Sequence, residues 1–167
     1  MKTLVAVLAL AAGPAFALPS GQSGLNFGGG AIVGGDTYGF IQGEFDFGLP
    51  PYVTLGPEIG VGFGDGTLLT PGLECRIYLI PTREIIPQPY IAFSGGFAAF
   101  WFESHFWGFP ISDFFYGGYM NFDGGLDVDV PKTLISPYVE AGGMVFIAGG
   151  GADGAFRIEG GLRFDVW

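Results

Sequence analysis

Apolar and polar residues alternate with a period of two in one segment after another of this chain. In the last segment Phe156, Ile158, Leu162, Phe164 and Val166 share one parity, and Arg157, Glu159, Arg163 and Asp165 share the other. Likewise Leu73, Cys75, Ile77 and Leu79 oppose Glu74, Arg76 and Tyr78, and Phe122, Leu126, Val128 and Val130 oppose Asp123, Asp127 and Asp129. Such alternation puts successive side chains on opposite faces of a β-strand, whereas an amphipathic helix has a period of 3.6. The segments fall into two repeats. Pro51-Tyr52, Pro89-Tyr90 and Pro137-Tyr138 each open one type. Gly72-Leu73-Glu74-Cys75-Arg76-Ile77, Gly125-Leu126-Asp127-Val128-Asp129-Val130 and Gly161-Leu162-Arg163-Phe164-Asp165-Val166 form the other, with Glu44-Phe45-Asp46-Phe47 as a weaker copy. Two strand types recurring about every 40 to 50 residues describe successive hairpins of an up-and-down barrel. The pattern predicts eight strands, over 24–33, 38–48, 52–63, 67–79, 89–101, 114–130, 137–148 and 155–167.

Composition narrows the setting of that sheet. Glycine is 32 of 167 residues and phenylalanine 18, while charged residues are only 13%. Each glycine disfavours a helix by about 1 kcal/mol relative to alanine, so the backbone must be satisfied by sheet. An apolar sheet in a membrane has to close on itself. At the N-terminus Lys2, the apolar run Thr3–Ala12 and Ala15-Phe16-Ala17 form a positive region, a hydrophobic region and a cleavage pattern, in the order of a secretory signal peptide. Residues 1–17 are therefore expected to be a signal peptide and 18–167 the outer-membrane β-barrel. After that segment no apolar run approaches the ~20 residues of a membrane helix.

The polar faces consist of glycines, alanines, serines and a few charges, too little to coat a soluble barrel. The expected arrangement is apolar side out, polar side in. Loop lengths and a start in the periplasm place turns near 49–51, 80–88 and 131–136 in the periplasm. Loops near 34–37, 64–66, 102–113 and 149–154 are then outside. The Pro-Tyr pairs are expected in the inner aromatic girdle, with Arg83 and Lys132 beside them. The outer loops carry Asp36, Asp65, Glu103, Asp113 and Asp153 and no Lys or Arg. Folding at the expected turns sets Asp127 opposite Glu140 and Glu140 opposite Arg163. Those three are expected to form one lumen cluster, and Glu74 and Arg76, with Glu44 and Asp46 as neighbours, a second. Inward carboxylates heavily outnumber arginines, so protons, or water and cations, must share the space.

The alternating segments, and the ending Gly161-Leu162-Arg163-Phe164-Asp165-Val166-Trp167, resemble the small outer-membrane barrel families of the OmpA and OmpX type. The resemblance covers the whole mature chain. It implies an eight-stranded antiparallel transmembrane barrel, outer-membrane lipids and lipopolysaccharide as surroundings, and the barrel-assembly machinery as a partner that reads the terminal strand.

The remaining features carry little chemistry. A net charge of −10 excludes a nucleic-acid partner. Cys75 is the only cysteine and reads as a small apolar side chain. His105, in Glu103-Ser104-His105, supplies the ingredients of a lipid A-modifying enzyme but not the spatial roles of a triad. One histidine makes no metal site, and Gly28-Gly29-Gly30 and Gly149-Gly150-Gly151 lack the lysine and helix of a phosphate loop. No catalytic residue, cofactor or metal is predicted. Trp101, Phe106, Trp107 and Phe109 belong to an aromatic outer loop that reads as an upper girdle or as an apolar binding patch. The expected function is non-enzymatic and structural, with a narrow acidic lumen. The alternatives are a narrow channel or carrier for small or hydrophobic solutes, and a lipid A-modifying enzyme acting around His105.

Overall fold

The structure, a computed structural model, describes residues 23–35, 37–49, 52–79, 87–106, 109–128, 130 and 133–166, with backbone pairing alone over 103–106 and 109–113. The predicted signal peptide, Asp36, Arg83, Trp107, Asp129, Lys132 and Trp167 lie outside the described residues. Eight strands follow one another: β1 (Gly24–Val33), β2 (Thr37–Leu49), β3 (Val53–Phe63), β4 (Gly66–Tyr78), β5 (Gln88–Phe106), β6 (Phe109–Asp127), β7 (Ile135–Ala148) and β8 (Gly151–Asp165). Each pairs antiparallel with the next, and β8 pairs with β1, closing the barrel. No free edge remains where the ladder is complete, so every backbone polar group there has a partner.

Cross-strand partners run from Asn26 through Glu44, Glu58, Gly72, Gly96, Tyr119 and Phe146 to Asp153. The β1–β8 ladder pairs Asn26 with Arg163, ten residues along β8 from Asp153. This stagger tilts the strands by roughly 35–45° and leaves an interior that side chains alone can fill.

Burial follows the alternation. On β2 the even positions 38 to 46 are buried, and on β3 Thr54, Glu58 and their parity partners are buried between exposed Leu55 and Ile59. The outside is apolar and the inside largely charged, the inverse of a soluble barrel. Phe97, Met120 and Ile41 are 68, 63 and 59% exposed, while Glu74, Arg76 and Glu140 are each 1% exposed. A band of such outward residues, with Leu25 and Phe27 on β1, Leu73 on β4 and Ile158 and Leu162 on β8, surrounds the barrel.

The two sequence repeats have a packing cause. Tyr90 lies opposite Gly125 and Tyr138 opposite Gly161, so the tyrosine of one repeat faces the glycine of the other. A Cβ at Gly125 would sit 2.3 Å from Tyr90 Cζ, and one at Gly161 2.7 Å from Tyr138 Cε1. Each ring folds over the bare backbone of its neighbour. Tyr90 and Tyr138 are consequently buried in the lumen, 2 and 6% exposed, and not in the expected girdle. Their parity is that of the carboxylates, which outweighs their position at the rim.

The connections differ from expectation at the end opposite the chain termini. The 102–113 segment is not a loop. The β5–β6 ladder continues through Glu103↔Ser112 and His105↔Pro110 to Phe106↔Phe109, and the hairpin stands beyond the last β4 and β7 pairings at Gly66↔Phe102 and Gly118↔Ile147. The 149–154 segment is a two-residue turn, since β7 and β8 pair up to Ala148↔Gly151. Gly149 and Gly150 have φ of 59° and 85°, the left-handed pair that a tight hairpin turn requires and that glycine adopts without strain. The strand bounds reverse the expected loop-length contrast: the connections at this end span two or three residues, against three, nine and seven at the chain-terminus end (50–52, 79–87 and 128–134). Gly150→Val is expected to destabilise the barrel by about 1–2 kcal/mol through its positive φ alone. Urea refolding midpoints in lipid, compared with those of Gly39→Val, measure it.

Candidate functional site

Three arginines and their carboxylates form a connected network of ion pairs and hydrogen bonds in the barrel interior. Arg76, projecting from β4, is its hub. Its Nη2 donates to Glu44 Oε2 at 2.7 Å, Nη1 lies 3.5 Å from Asp46, and Nε lies 2.5 Å from Glu74. Its guanidinium centre stands 5.3 Å from the Tyr90 ring and 5.2 Å from the Tyr138 ring, which hold it by cation–π attraction in a dry setting. Asn26 donates to both Glu44 and Asp46, at 2.9 and 2.7 Å.

Deeper toward the hairpin-turn end, Arg157 Nη2 lies 2.6 Å from both Glu140 and Glu159, and Nη1 lies 3.6 Å from Asp123. Tyrosine hydroxyls complete the carboxylates, Tyr90 donating to Glu140, Tyr138 to Glu159 and Tyr119 to Glu58. Gln42 donates to the second oxygen of Glu58 at 2.8 Å. Nearer the chain termini Arg163 donates to Tyr78, which donates to Asp127, and Arg163 also faces Asp165 at 3.3 Å. Glu140 links Arg157 to Arg76 (3.8 Å), and Asp46 links Arg76 to Arg163 (3.8 Å). Charge-assisted bonds of this kind are about twice as strong as neutral ones.

The two expected clusters are thus one network with different partners. Glu44, Asp46, Glu74 and Arg76 come together. Glu140, Asp127 and Arg163 do not form a cluster of their own. Glu140 stands opposite Gly125 on β6 and Glu159 on β8, and its arginine is Arg157. Arg163 stands opposite Ser136 and reaches Asp127 at 3.6 Å. The cause is the tight Gly149-Gly150 turn, which slides β8 by four residues relative to a 149–154 loop. On β7 Glu140 stands two residues from its expected place opposite Asp127.

An apolar cap, not anticipated from the sequence, closes the lumen at the hairpin-turn end. Ile32, Tyr38, Phe40, Leu68, Ala98 and Met144 form a buried cluster there, with Phe100, Phe146 and Ala155 packed on it. Phe100 meets Phe146 edge-on at 5.3 Å and stacks on Phe102 at 6.2 Å. These residues share the inward parity, so their apolar character breaks the rule that the inner face is polar. Tyr38 and Phe40, on the parity of Gln42, Glu44 and Asp46, are the signal that could have revealed the cap. Arg157 stands under it, 5.3 Å from the Phe40 ring centre.

The aromatic residues of the expected outer loop lie on the β5–β6 hairpin. Trp101 packs on Phe114 at 5.2 Å on the outward face, and Phe102 meets Phe115 edge-on at 6.1 Å on the inward face. Phe106 and Phe109 are cross-strand partners in the backbone ladder. Ser104 and His105 occupy successive ladder positions opposite Ile111 and Pro110. Cys75 is half-buried, free, and on the outward parity.

This fold is that of small eight-stranded transmembrane β-barrels. The chain is similar to the N-terminal β-barrel domain of Pseudomonas aeruginosa OprF, with TM-score 0.56, 14% identity, and coverage of 86% of this chain and 99% of that one. It is similar to Neisserial surface protein A, with TM-score 0.66, 8% identity, and coverage of 86% and 96%. A de novo designed transmembrane β-barrel gives TM-score 0.50, 14% identity, and coverage of 88% and 97%. No protein-family model and no curated protein matches the chain, so the likeness is one of fold and not of sequence.

Proposed function

We propose that this chain is a non-enzymatic, structural integral protein of the bacterial outer membrane, with a lumen filled by its own side chains. The observation that carries this reading is the stacking of the bonded arginine–carboxylate network beneath the apolar cap. A void of about 10 Å³ remains between Phe40, Gln42, Glu58, Tyr119 and Arg157, room for a single water. A solute crossing the barrel would have to break ion pairs and then part Phe100 from Phe146. The narrow-channel alternative would require such a path. The outward apolar band supports contact with outer-membrane lipids, lipopolysaccharide among them. The alternating β8 supports delivery by the barrel-assembly machinery.

Three measurements test the reading. Mature chain refolded into detergent or lipid is expected to show sheet with almost no helix by circular dichroism and to run heat-modifiably on gels. In planar bilayers it is expected to give no unitary conductance. A monodisperse detergent-free monomer would overturn membrane residence, and discrete conductance steps would overturn the filled lumen. For the enzymatic alternative, lipid A mass spectra from cells carrying wild type or His105→Ala are expected to be identical.

A further inference from the structure

We propose that the protruding β5–β6 hairpin captures an extended, basic segment of another polypeptide, which adds to the free edge of β6 in line with β7; the site rests on the membrane-barrel reading above. Val128 donates to the Pro137 carbonyl at 2.8 Å, so the even positions of β6 direct their N–H and C=O groups toward β7 and the odd positions toward β5. β7 satisfies that side only as far as Gly118↔Ile147, because the chain then turns back at Gly149-Gly150. Phe114 and Tyr116 pair with Trp101 and Ala99 of β5, but among the described residues no strand faces their other side. Their donors and acceptors point along the line that β7 has left.

A bare strand edge is a template for another strand, and folded proteins blunt such edges with lysine, proline or a covering loop. Here Pro110, on the same parity, withholds an N–H only at the far end, and positions 114–117 hold two phenylalanines, a tyrosine and a glycine, with no charge. Phe114 and Tyr116 are 54 and 71% exposed. An apolar cleft of about 360 Å³ opens at the foot of the same edge, lined by Phe97, Tyr116, Ile147 and the Gly149-Gly150 turn, with Gly118 contributing no side chain. A Cβ at Gly118 would meet nothing nearer than 3.6 Å. A strand laid along β6 therefore gains backbone hydrogen bonds and a seat for an apolar side chain, the two elements of recognition by strand addition.

Charge selects the partner. Glu103 and Asp113 lie in the hairpin ladder, Asp65 and Asp153 are exposed at the neighbouring turns, and the segments 34–37, 64–66, 102–113 and 149–154 hold no Lys or Arg. Basic side chains on the incoming strand complement that field, whereas a second copy of this chain would set acid against acid. A lipid acyl chain would fill the cleft but leave the N–H groups of Phe114 and Tyr116 unmet, and free backbone groups are not left in hydrocarbon.

The test uses mature chain folded into phosphatidylcholine vesicles and, as probe, a fluorescent peptide of alternating lysine and valine. Saturable binding by anisotropy is expected, with amide exchange slowed at Phe114 and Tyr116 and unchanged at Phe115, whose backbone groups already face β5. Tyr116→Pro is expected to weaken binding about tenfold, because it removes a donor that β5 does not use and sets a ring across the edge. Gly118→Leu, which fills the cleft, should weaken it as well. The same peptide N-methylated at every residue, and a glutamate–valine counterpart, should not bind. Equal binding of either control, undiminished binding by Tyr116→Pro or Gly118→Leu, or exchange at Phe114 and Tyr116 indifferent to peptide overturns the proposal. Should Tyr116→Pro not refold, exchange in the wild type decides in its place. Exchange at those two amides that is already slow without peptide, and quickens on dilution into more lipid, assigns the edge to a second copy and likewise overturns it. Heat-modifiable migration of the same samples reports separately on the barrel: a folded barrel that binds no peptide refutes the edge site alone, whereas a chain that does not insert refutes the membrane reading beneath it.

Discussion

Arg76→Ala is expected to cost the folded barrel about 3–5 kcal/mol, the range for removing one partner of a buried ion pair. The loss comes less from the missing attraction than from what stays behind. Glu44, Asp46 and Glu74 would be left buried without the cation they share. Tyr90 and Tyr138 would lose the guanidinium between them. Glu44→Gln in the same chain should recover part of the loss, because it removes a charge and keeps the shape. A double-mutant cycle read from urea refolding in lipid gives the coupling. The same cycle discriminates between registers. Glu140→Gln should partly rescue Arg157→Ala, its neighbour at 2.6 Å. It should leave Arg163→Ala unchanged, since the partners of Arg163 are Tyr78, Asp46, Asp127 and Asp165. Rescue of Arg163→Ala and not of Arg157→Ala would mean that β7 and β8 pair four residues away from the register described.

That pairing shows what the sequence could and could not reveal. Side-chain parity was legible, because one face of every strand is apolar and a slip by one residue would reverse it. Partner identity was not legible, because a slip by two or four residues preserves the faces. The expected register misplaced Glu140 by two residues against β6 (127 against 125) and by four against β8 (163 against 159). Both shifts are even, so every charged residue kept its face while changing its partner. The turn alone fixes such a shift, and Gly149-Gly150-Gly151 reads equally well as part of a longer loop. The Tyr–Gly pairings carry a clearer signal. The spacing of Pro89-Tyr90 to Gly125 and of Pro137-Tyr138 to Gly161 could have set the register of two hairpins, since only a bare backbone accepts a ring folded flat upon it. The apolar cap was hidden for a different reason. Phe40, Phe100 and Met144 are apolar residues on a polar parity, and without knowing how strands are staggered nothing places them at one level of the barrel.

The outward face offers the complementary test. Phe122→Arg is expected to destabilise the barrel by about 2–4 kcal/mol in lipid, the cost of an arginine at the bilayer midplane. Phe122 is 57% exposed, packs edge-on against Phe93 at 5.0 Å, and lies midway along the β6 ladder that β7 completes. Leu134→Arg, at a residue 67% exposed beside the chain-terminus rim, should cost only about 0–1 kcal/mol, because charge there reaches the interface. The gradient is the informative quantity. In a soluble barrel, arginine at either exposed position would meet water and change little, and the two variants would be equally mild. In a membrane barrel of reversed parity, Phe122 would be a core residue and Phe122→Ala would hurt as much as Phe122→Arg. Refolding free energies of these variants, measured in one lipid, therefore separate three arrangements that share the same eight strands. Only a lipid-facing Phe122 gives a large penalty for arginine, a smaller one for alanine, and a penalty for arginine that fades from Phe122 to Leu134.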